Sequence, residues 1–282
     1  MSNTASATLS SAVASREPGA PATGGFIPLC VPNVAGTEWE YIKDCLDTGW
    51  VSSVGSYVDR FERECAERTD TRFGVATSTG TAALHVSMML AGIERDDEVI
   101  VPTLTFIASC NAVRYLGAWP VLIDVEPDYW QLDSNRVAEF LRNGCERLAD
   151  GTLRNQTTGR RVKGMLPVDV LGHPCDIDPL LVLAAEYGLA VVEDSTEAFG
   201  ARYRGRPVGS TSPVSCLSFN GNKLMTTGGG GMIVTNNEVL AKRAKYLTTQ
   251  AKDDAVEFIH GAVGFNYRLT NIQAAMGCAQ VA

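Results

Sequence analysis

Three short stretches carry residue types that could do chemistry. The first is Ser218-Phe219-Asn220-Gly221-Asn222-Lys223, which ends an apolar run begun at Val214 and precedes Gly228-Gly229-Gly230-Gly231. Val214 to Phe219 and Met232 to Val234 read as buried strands, and an ammonium taken out of water between them without a partner is costly. Such a lysine is solvated at a strand end, neutralised, or used covalently as a Schiff base. This stretch alone favours the solvated reading, with the glycines marking only a turn.

Ser78-Thr79-Gly80-Thr81-Ala82-Ala83 lies between a short apolar run and a helical pattern. Small hydroxyl residues and glycine at a helix N-terminus make an anion site, because free N–H groups and the positive dipole end face the ligand. An ordinary threonine N-cap is the plainer alternative. GxGxxG and GxxxxGK[ST] are both absent, so dinucleotide and triphosphate motifs are not met. In Val191-Val192-Glu193-Asp194-Ser195-Thr196-Glu197, two carboxylates end a strand and a third follows Asp194 by three residues. Asp194 is placed to face a ligand beyond the strand end; a capping aspartate with solvated glutamates is the alternative. Three carboxylates could also hold Mg²⁺, but no partner motif accompanies them, and no metal is expected.

An anion site, a strand-end aspartate and a buried lysine form a chemical set. Pyridoxal 5'-phosphate needs a phosphate cradle, a carboxylate that keeps its ring nitrogen protonated, and a lysine. Opposite charge favours the protonated ring.

The elements that must position these residues alternate. The pattern predicts helices over 37–49 and 56–70, the second with Tyr57, Val58, Phe61 and Cys65 on its apolar face. Strands and helices then follow in turn: Phe73 to Thr77, helix Ala82 to Leu90, Glu98 to Pro102, helix Thr105 to Tyr115, Trp119 to Val125, helix 134–142. Arg142 to Lys163 is polar and turn-rich and reads as a surface hairpin. Val162 to Val170, helix Asp178 to Tyr187 and Leu189 to Glu193 resume the alternation, and a helix from Glu238 to Thr249 follows the paired runs around Lys223. This spacing means an α/β domain with a mostly parallel central sheet flanked by helices. Ligands of such sheets sit beyond the carboxyl ends of the strands, where all three stretches fall.

The 282 residues carry a net charge of −8 with a pI near 5.0. An acidic balance excludes a phosphate-backbone binder, so no nucleic-acid partner is expected. No apolar run is long enough to span a bilayer. Eight scattered cysteines without a CxxC pair read as buried hydrophobes in a reducing compartment, and the expected location is cytoplasmic. Residues 1–25 are poor in large apolar side chains and read as a disordered tail, leaving 26–282 as the large domain with segment 26–70 packed on it. The chain closes on an apolar helix, Ala274 to Ala282, without a cap or charge, and a further segment is expected after it.

The chain resembles the sugar aminotransferases of the DegT/DnrJ/EryC1/StrS family. The matching words, in the family's order, are Ser78 to Leu84, Val101 to Ala108, Glu193 to Gly200, Ser218 to Lys223, and Gly264 to Ala275. The resemblance implies the fold of type I pyridoxal phosphate-dependent transferases, with a small C-terminal domain of roughly 100 residues that is largely missing here. It implies that Lys223 bonds the cofactor and moves the proton, that Asp194 pairs with the ring nitrogen, and that Phe106 stacks on the ring. Thr81, Ala82 and Ser218 would hold the phosphate. Asn266 and Arg268 would complete the site of the neighbouring subunit, which implies a homodimer. Glu197 departs from relatives with histidine or glutamine there, and would repel the cofactor's phenolic oxygen unless protonated or turned away. The implied reaction takes an amino group from L-glutamate to the 4-keto carbon of a 4-keto-6-deoxy nucleotide sugar, and Ile27 to Pro32 and Asp47 to Gly55 look closest to legionaminic-type nonulosonate members.

Competing readings are a deoxysugar dehydratase, whose members carry histidine in place of Lys223, and a non-catalytic fragment or cofactor-binding regulatory protein. A nucleotide-binding dehydrogenase lacks its glycine fingerprint. His85 reads as core, His173 and His260 as loop residues. Trp50 and Tyr57 read equally as substrate-edge or packing residues, and Arg202 and Arg204 as a solvated strand face or anion contacts.

Overall fold

A computed structural model describes residue 28 and residues 30–254 and 256–282; the proposed tail over 1–25 lies outside them. The chain opens with helices α1 (Glu38–Thr48) and α2 (Ser56–Arg68). Strand β1 (Phe73–Thr77), helix α3 (Gly80–Leu90), β2 (Glu98–Pro102), α4 (Ile107–Tyr115) and β3 (Trp119–Ile123) follow. Helix α5 (Ser134–Glu139) runs on into a π-helical turn, Phe140–Gly144, and the expected hairpin is β4 (Cys145–Arg147) paired antiparallel with β5 (Leu153–Asn155). Then come β6 (Val162–Met165), α6 (Ile177–Tyr187), β7 (Ala190–Val191), β8 (Glu193–Asp194), the small hairpin β9 (Arg202–Tyr203) and β10 (Arg206–Pro207), β11 (Ser215–Ser218), β12 (Gly231–Thr235), α7 (Glu238–Thr248) and α8 (Asn271–Val281).

One four-stranded sheet has the order β3-β2-β6-β7 and is parallel throughout. The other, β1-β12-β11-β8, pairs β11 with β8 in parallel and β12 antiparallel to both neighbours. The run 190–194 belongs to both, and Val168 bridges Asp194 in parallel, so the two continue as one twisted surface in which β12 alone runs against the rest. β12 reverses because a loop, not a crossover helix, joins it to β11.

Both faces are covered, which is why the central strands are almost wholly apolar. On one face α3, α4 and α7 pack over Val99, Val101, Val192, Cys216 and Ile233. On the other, α5 and α6 cover Ile100, Val162 and Met165, while α2 and α8 cover Leu217, Phe219 and Met232. α8 approaches α2 closely at Gly277, where an added Cβ would stand 2.6 Å from the Phe61 ring.

Some boundaries differ from expectation for physical reasons. α3 starts two residues before Ala82, because extended Thr79 is the cap and its Oγ1 accepts the Ala82 N–H at 3.0 Å. Thr37 makes no side-chain cap, whereas Gly49 closes α1 in the left-handed region at φ 74°. The strand expected to run to Val170 ends at Met165, since Val170–Gly172 forms a 3₁₀ turn.

Candidate active site

The lysine's turn is fixed by its main chain. Phe219 is fully buried and its N–H donates to Gly230 O, while the Thr227 N–H returns to Phe219 O, both at 3.0 Å. Lys223 closes the turn by donating its N–H to Asn220 O at 3.0 Å. Its side chain is only 14% exposed, and Nζ lies 2.9 Å from Glu197 Oε1. A lysine with its head in solvent is not what is observed.

The glycine run does more than turn. Gly231 begins β12 directly against the β1–α3 connection: a Cβ there would stand 2.6 Å from the main-chain carbon and oxygen of Thr79. Gly80 admits Ser218 in the same way, since its Cβ would lie 2.8 Å from the Ser218 Cβ. The end of α3 is therefore packed onto the ends of β11 and β12. Thr79 uses the Ala82 amide, and the Ala83 N–H goes to Thr79 O at 3.1 Å. That leaves the amides of Gly80 and Thr81 without a helical acceptor at the positive end of the helix.

Asp194 ends β8 and is buried. Burial pushes its carboxyl above the usual range, and hydrogen bonds from Ser109 and Thr196 pull it back. Ser109 Oγ donates to Oδ2 at 2.6 Å and the Thr196 N–H to Oδ1 at 3.3 Å. Its strand is held by its own amide to Pro167 O (2.9 Å) and by the Asp169 N–H to its carbonyl (3.0 Å).

These groups share one cavity of about 430 Å³, lined by residues that include Thr81, Phe106, Asp194, Glu197, Ser218 and Lys223. That volume is within the range of roughly 300–1,000 Å³ usual for small-molecule and cofactor sites. Phe106 stands at its rim, 72% exposed. Ala82 is buried in the first turn of α3 and does not line the cavity. Asn266 is exposed and bridges Thr249; Arg268 lines a separate recess of about 200 Å³ with Ser53, Asp59 and Lys245, its Nε buried without a partner. Within one chain, then, neither meets Lys223.

The residues fit a phosphorylated, cationic-ring cofactor bonded to a lysine. The Gly80–Ser218 approach is a cradle that a Cβ would fill, open amides face an anion, and a buried carboxylate, with Lys223 as a neighbouring charge, makes no salt bridge among the described residues. Residues 32–282 match the model of the DegT/DnrJ/EryC1/StrS aminotransferase family. The chain belongs to this family. Among its relatives, GDP-perosamine synthase of Escherichia coli O157:H7 is 40% identical over 256 residues, which are 91% of this chain and 66% of that protein. EpsN of Bacillus subtilis strain 168, provisionally named a pyridoxal phosphate-dependent aminotransferase, is 36% identical over 90% of this chain and 63% of its own length. The crystal structure of DesV of S. venezuelae with a ketimine intermediate is 35% identical, superposes with a TM-score of 0.75, and covers 85% of this chain and 60% of that one. The chain thus spans about two thirds of the length of the curated relatives it matches. The aminotransferase family and its α/β architecture are those the joint motifs implied.

Other singled-out residues fall elsewhere. His85 is buried among Tyr115, Phe265 and Tyr267, and burial lowers its pKa. His173 stacks on Tyr129, and His260 contacts Gln250 O through Nδ1. Arg204 pairs with Asp176 and Asp178, and Arg202 donates to Gly205 O, on the β9–β10 hairpin and away from Lys223. Trp50 is exposed and Tyr57 packs on Tyr41. Ser109 and Thr196 serve the site without an expected role, while Thr79 and Gly80 lie in the stretch expected to bind an anion. Ser109 lies just past the matched word Val101 to Ala108, and its hydroxyl is 2.9 Å from that of Thr105.

Proposed function

We propose that this chain transfers an amino group from L-glutamate to the 4-keto carbon of a 4-keto-6-deoxy nucleotide sugar, using pyridoxal 5'-phosphate. The carrying observation is that Lys223 Nζ, buried Asp194 and the open end of α3 meet in one cavity. Family membership and the GDP-linked product in a relative's name support it. The role places it in amino-sugar or surface-polysaccharide synthesis in the cytoplasm, with residues 26–282 as the cofactor-binding domain.

Bound there, pyridoxal phosphate would carry the amino group between donor and acceptor and take up electrons from the carbon that loses its proton. The amides of Gly80 and Thr81, with the Ser218 hydroxyl, hold the phosphate. Asp194, kept in place by Ser109 and Thr196, holds the proton on the ring nitrogen. Phe106, at the cavity rim, would pack against the cofactor's ring. Lys223, as a free amine, takes the proton from the donor's α-carbon and delivers one at the acceptor carbon. Asn266 and Arg268 serve a second copy's site, which makes the working unit a homodimer.

Purified protein loaded with pyridoxal phosphate is expected to show a visible absorbance band that L-glutamate shifts and borohydride fixes as added mass on Lys223. Glutamate-loaded protein titrated with keto-sugar nucleotides then identifies the acceptor by return of the band. Failure to form the band on reconstitution rejects the proposal.

A further inference from the structure

Glu197 has a geometry that cofactor contact does not explain. It follows β8, and its two carboxylate oxygens serve different loops: Oε1 meets Lys223 Nζ at 2.9 Å, and Oε2 accepts the Leu171 N–H at 2.7 Å. One carboxylate thereby staples the loops after β6, β8 and β11. The Leu171 contact is made at a conformational cost. Leu171 sits at φ 56°, ψ 22°, a left-handed region that branched side chains rarely adopt, and its side chain is left exposed. The next residue, Gly172, is also left-handed at φ 81°, and a Cβ there would press to 3.0 Å from the Glu197 carbonyl oxygen. Strain of this kind persists where the surrounding structure over-determines it, and it clusters at functional sites. Here it aims an amide at the carboxylate that pairs with Lys223.

We propose that Glu197 is a holding residue for Lys223: its carboxylate keeps the amine against the cavity wall whenever that amine is not bonded to a cofactor, and the Leu171 amide keeps the carboxylate aimed. This rests on the reading of Lys223 as the cofactor-bonding residue. A lysine that alternates between bonded and free states needs a partner in the free state, since a partly buried ammonium without one is costly. Glutamine at 197 still accepts from Leu171 but offers no charge to Lys223. Glu197 is a positioning residue in this scheme, acting on the reaction through Lys223.

The test is acetylation of the cofactor-free protein with a water-soluble N-hydroxysuccinimide acetate, mapped by peptide mass spectrometry at low conversion. Lys242, exposed and remote on α7, is the internal reference. Lys223 labelling relative to Lys242 is expected to rise roughly fivefold in Glu197→Gln, the scale of a partly exposed ion pair. Leu171 amide exchange should be unchanged in Glu197→Gln and faster in Glu197→Ala. Equal Lys223 labelling in wild type and Glu197→Gln overturns the holding role, as does unchanged Leu171 exchange in Glu197→Ala. Borohydride fixation of pyridoxal phosphate on wild-type Lys223 is scored separately: its failure rejects the cofactor reading, whatever the labelling ratio shows.

Discussion

Ser109 Oγ lies 2.6 Å from Asp194 Oδ2, and both side chains are buried. A hydroxyl on α4 thus reaches across to the end of β8 and stabilises the ionised carboxylate against burial. Asp194 has a raised pKa, so the charge it offers a cationic ring is present above that pKa and lost as pH falls through it. Removing the hydrogen bond that lowers the pKa should move the loss to higher pH. Ser109→Ala is expected to weaken pyridoxal phosphate binding about tenfold near neutral pH, in line with roughly 1.5 kcal/mol for a hydrogen bond to a charged group. Absorbance titrations at several pH values check this; an acid limb that does not move sinks the assignment of Ser109.

A second pair lies near Asp194. One oxygen each of Asp169 and Glu193 and the Cys175 sulfur fall within 4.8 Å of one another, all fully buried. Burial raises the pKa of both carboxyls, and each is raised further by a neighbouring acid: Glu193 by Asp169, and Asp169 by Asp194. Raised acids hold protons in the folded state that the unfolded chain releases. Their stabilisation is present below the ordinary carboxylate range and lost as pH rises through the folded values. Glu193→Gln should flatten that decline, making the variant roughly 1–3 kcal/mol less disfavoured at alkaline pH than wild type, by urea midpoints at two pH values. Wild type should also show a carboxylic-acid carbonyl band in the infrared at neutral pH that Glu193→Gln removes.

Two glycines in the run after Lys223 should behave differently. Gly228 is left-handed at φ 76° with nothing within 4 Å of an added Cβ, so Gly228→Ala carries only a backbone penalty of about 1 kcal/mol. Gly231 has an ordinary φ but no room, with Thr79 main chain at 2.6 Å. Gly231→Ala should cost roughly 1–3 kcal/mol by overpacking and, unlike Gly228→Ala, should weaken pyridoxal phosphate binding, because it displaces the end of α3. Urea midpoints with absorbance titration separate the two effects.

These cases show what was legible beforehand. Hydrophobic alternation placed the strand ends correctly to a few residues, because period and turn residues are local signals. The Ser78–Ala83 stretch, Asp194 and Lys223 were legible as a set, since each lies at or just beyond the end of a strand and such ends converge. What stayed hidden depends on distance in sequence. Nothing near Glu197 announces its pairing with Leu171, and the Asp169–Glu193 contact joins the loop after β6 to β8. Gly231 read as a turn residue because close main-chain approach leaves no trace in the local pattern. Thr79 and Thr81 were interchangeable as caps until φ and ψ decided for Thr79.

Asn271 shows how the periphery fixes the lysine's loop. Its Nδ2 donates to Trp50 O at 2.8 Å, and its Oδ1 accepts the Tyr57 N–H at 3.1 Å, tying the α1–α2 connection to the start of α8. Two residues on, Gln273 completes a capping box with Thr270 and donates from Nε2 to Gly229 O at 2.9 Å, inside the run that follows Lys223. A Cβ on Gly55 would fall on the Asn271 side chain, so the fit is tight as well as polar. Asn271→Ala leaves the part-buried Trp50 carbonyl and Tyr57 amide without this partner, and should destabilise by roughly 1–2 kcal/mol. Asn271→Asp keeps the acceptor for Tyr57 but loses the donor to Trp50 and adds a buried charge, so it should recover none of the loss. Hydrogen exchange reads the connection directly: the Tyr57 amide should exchange faster in Asn271→Ala, with the Phe219 amide following only if α8 undocks. Stability and Tyr57 protection both equal to wild type in Asn271→Ala would remove α8 from the support of the site.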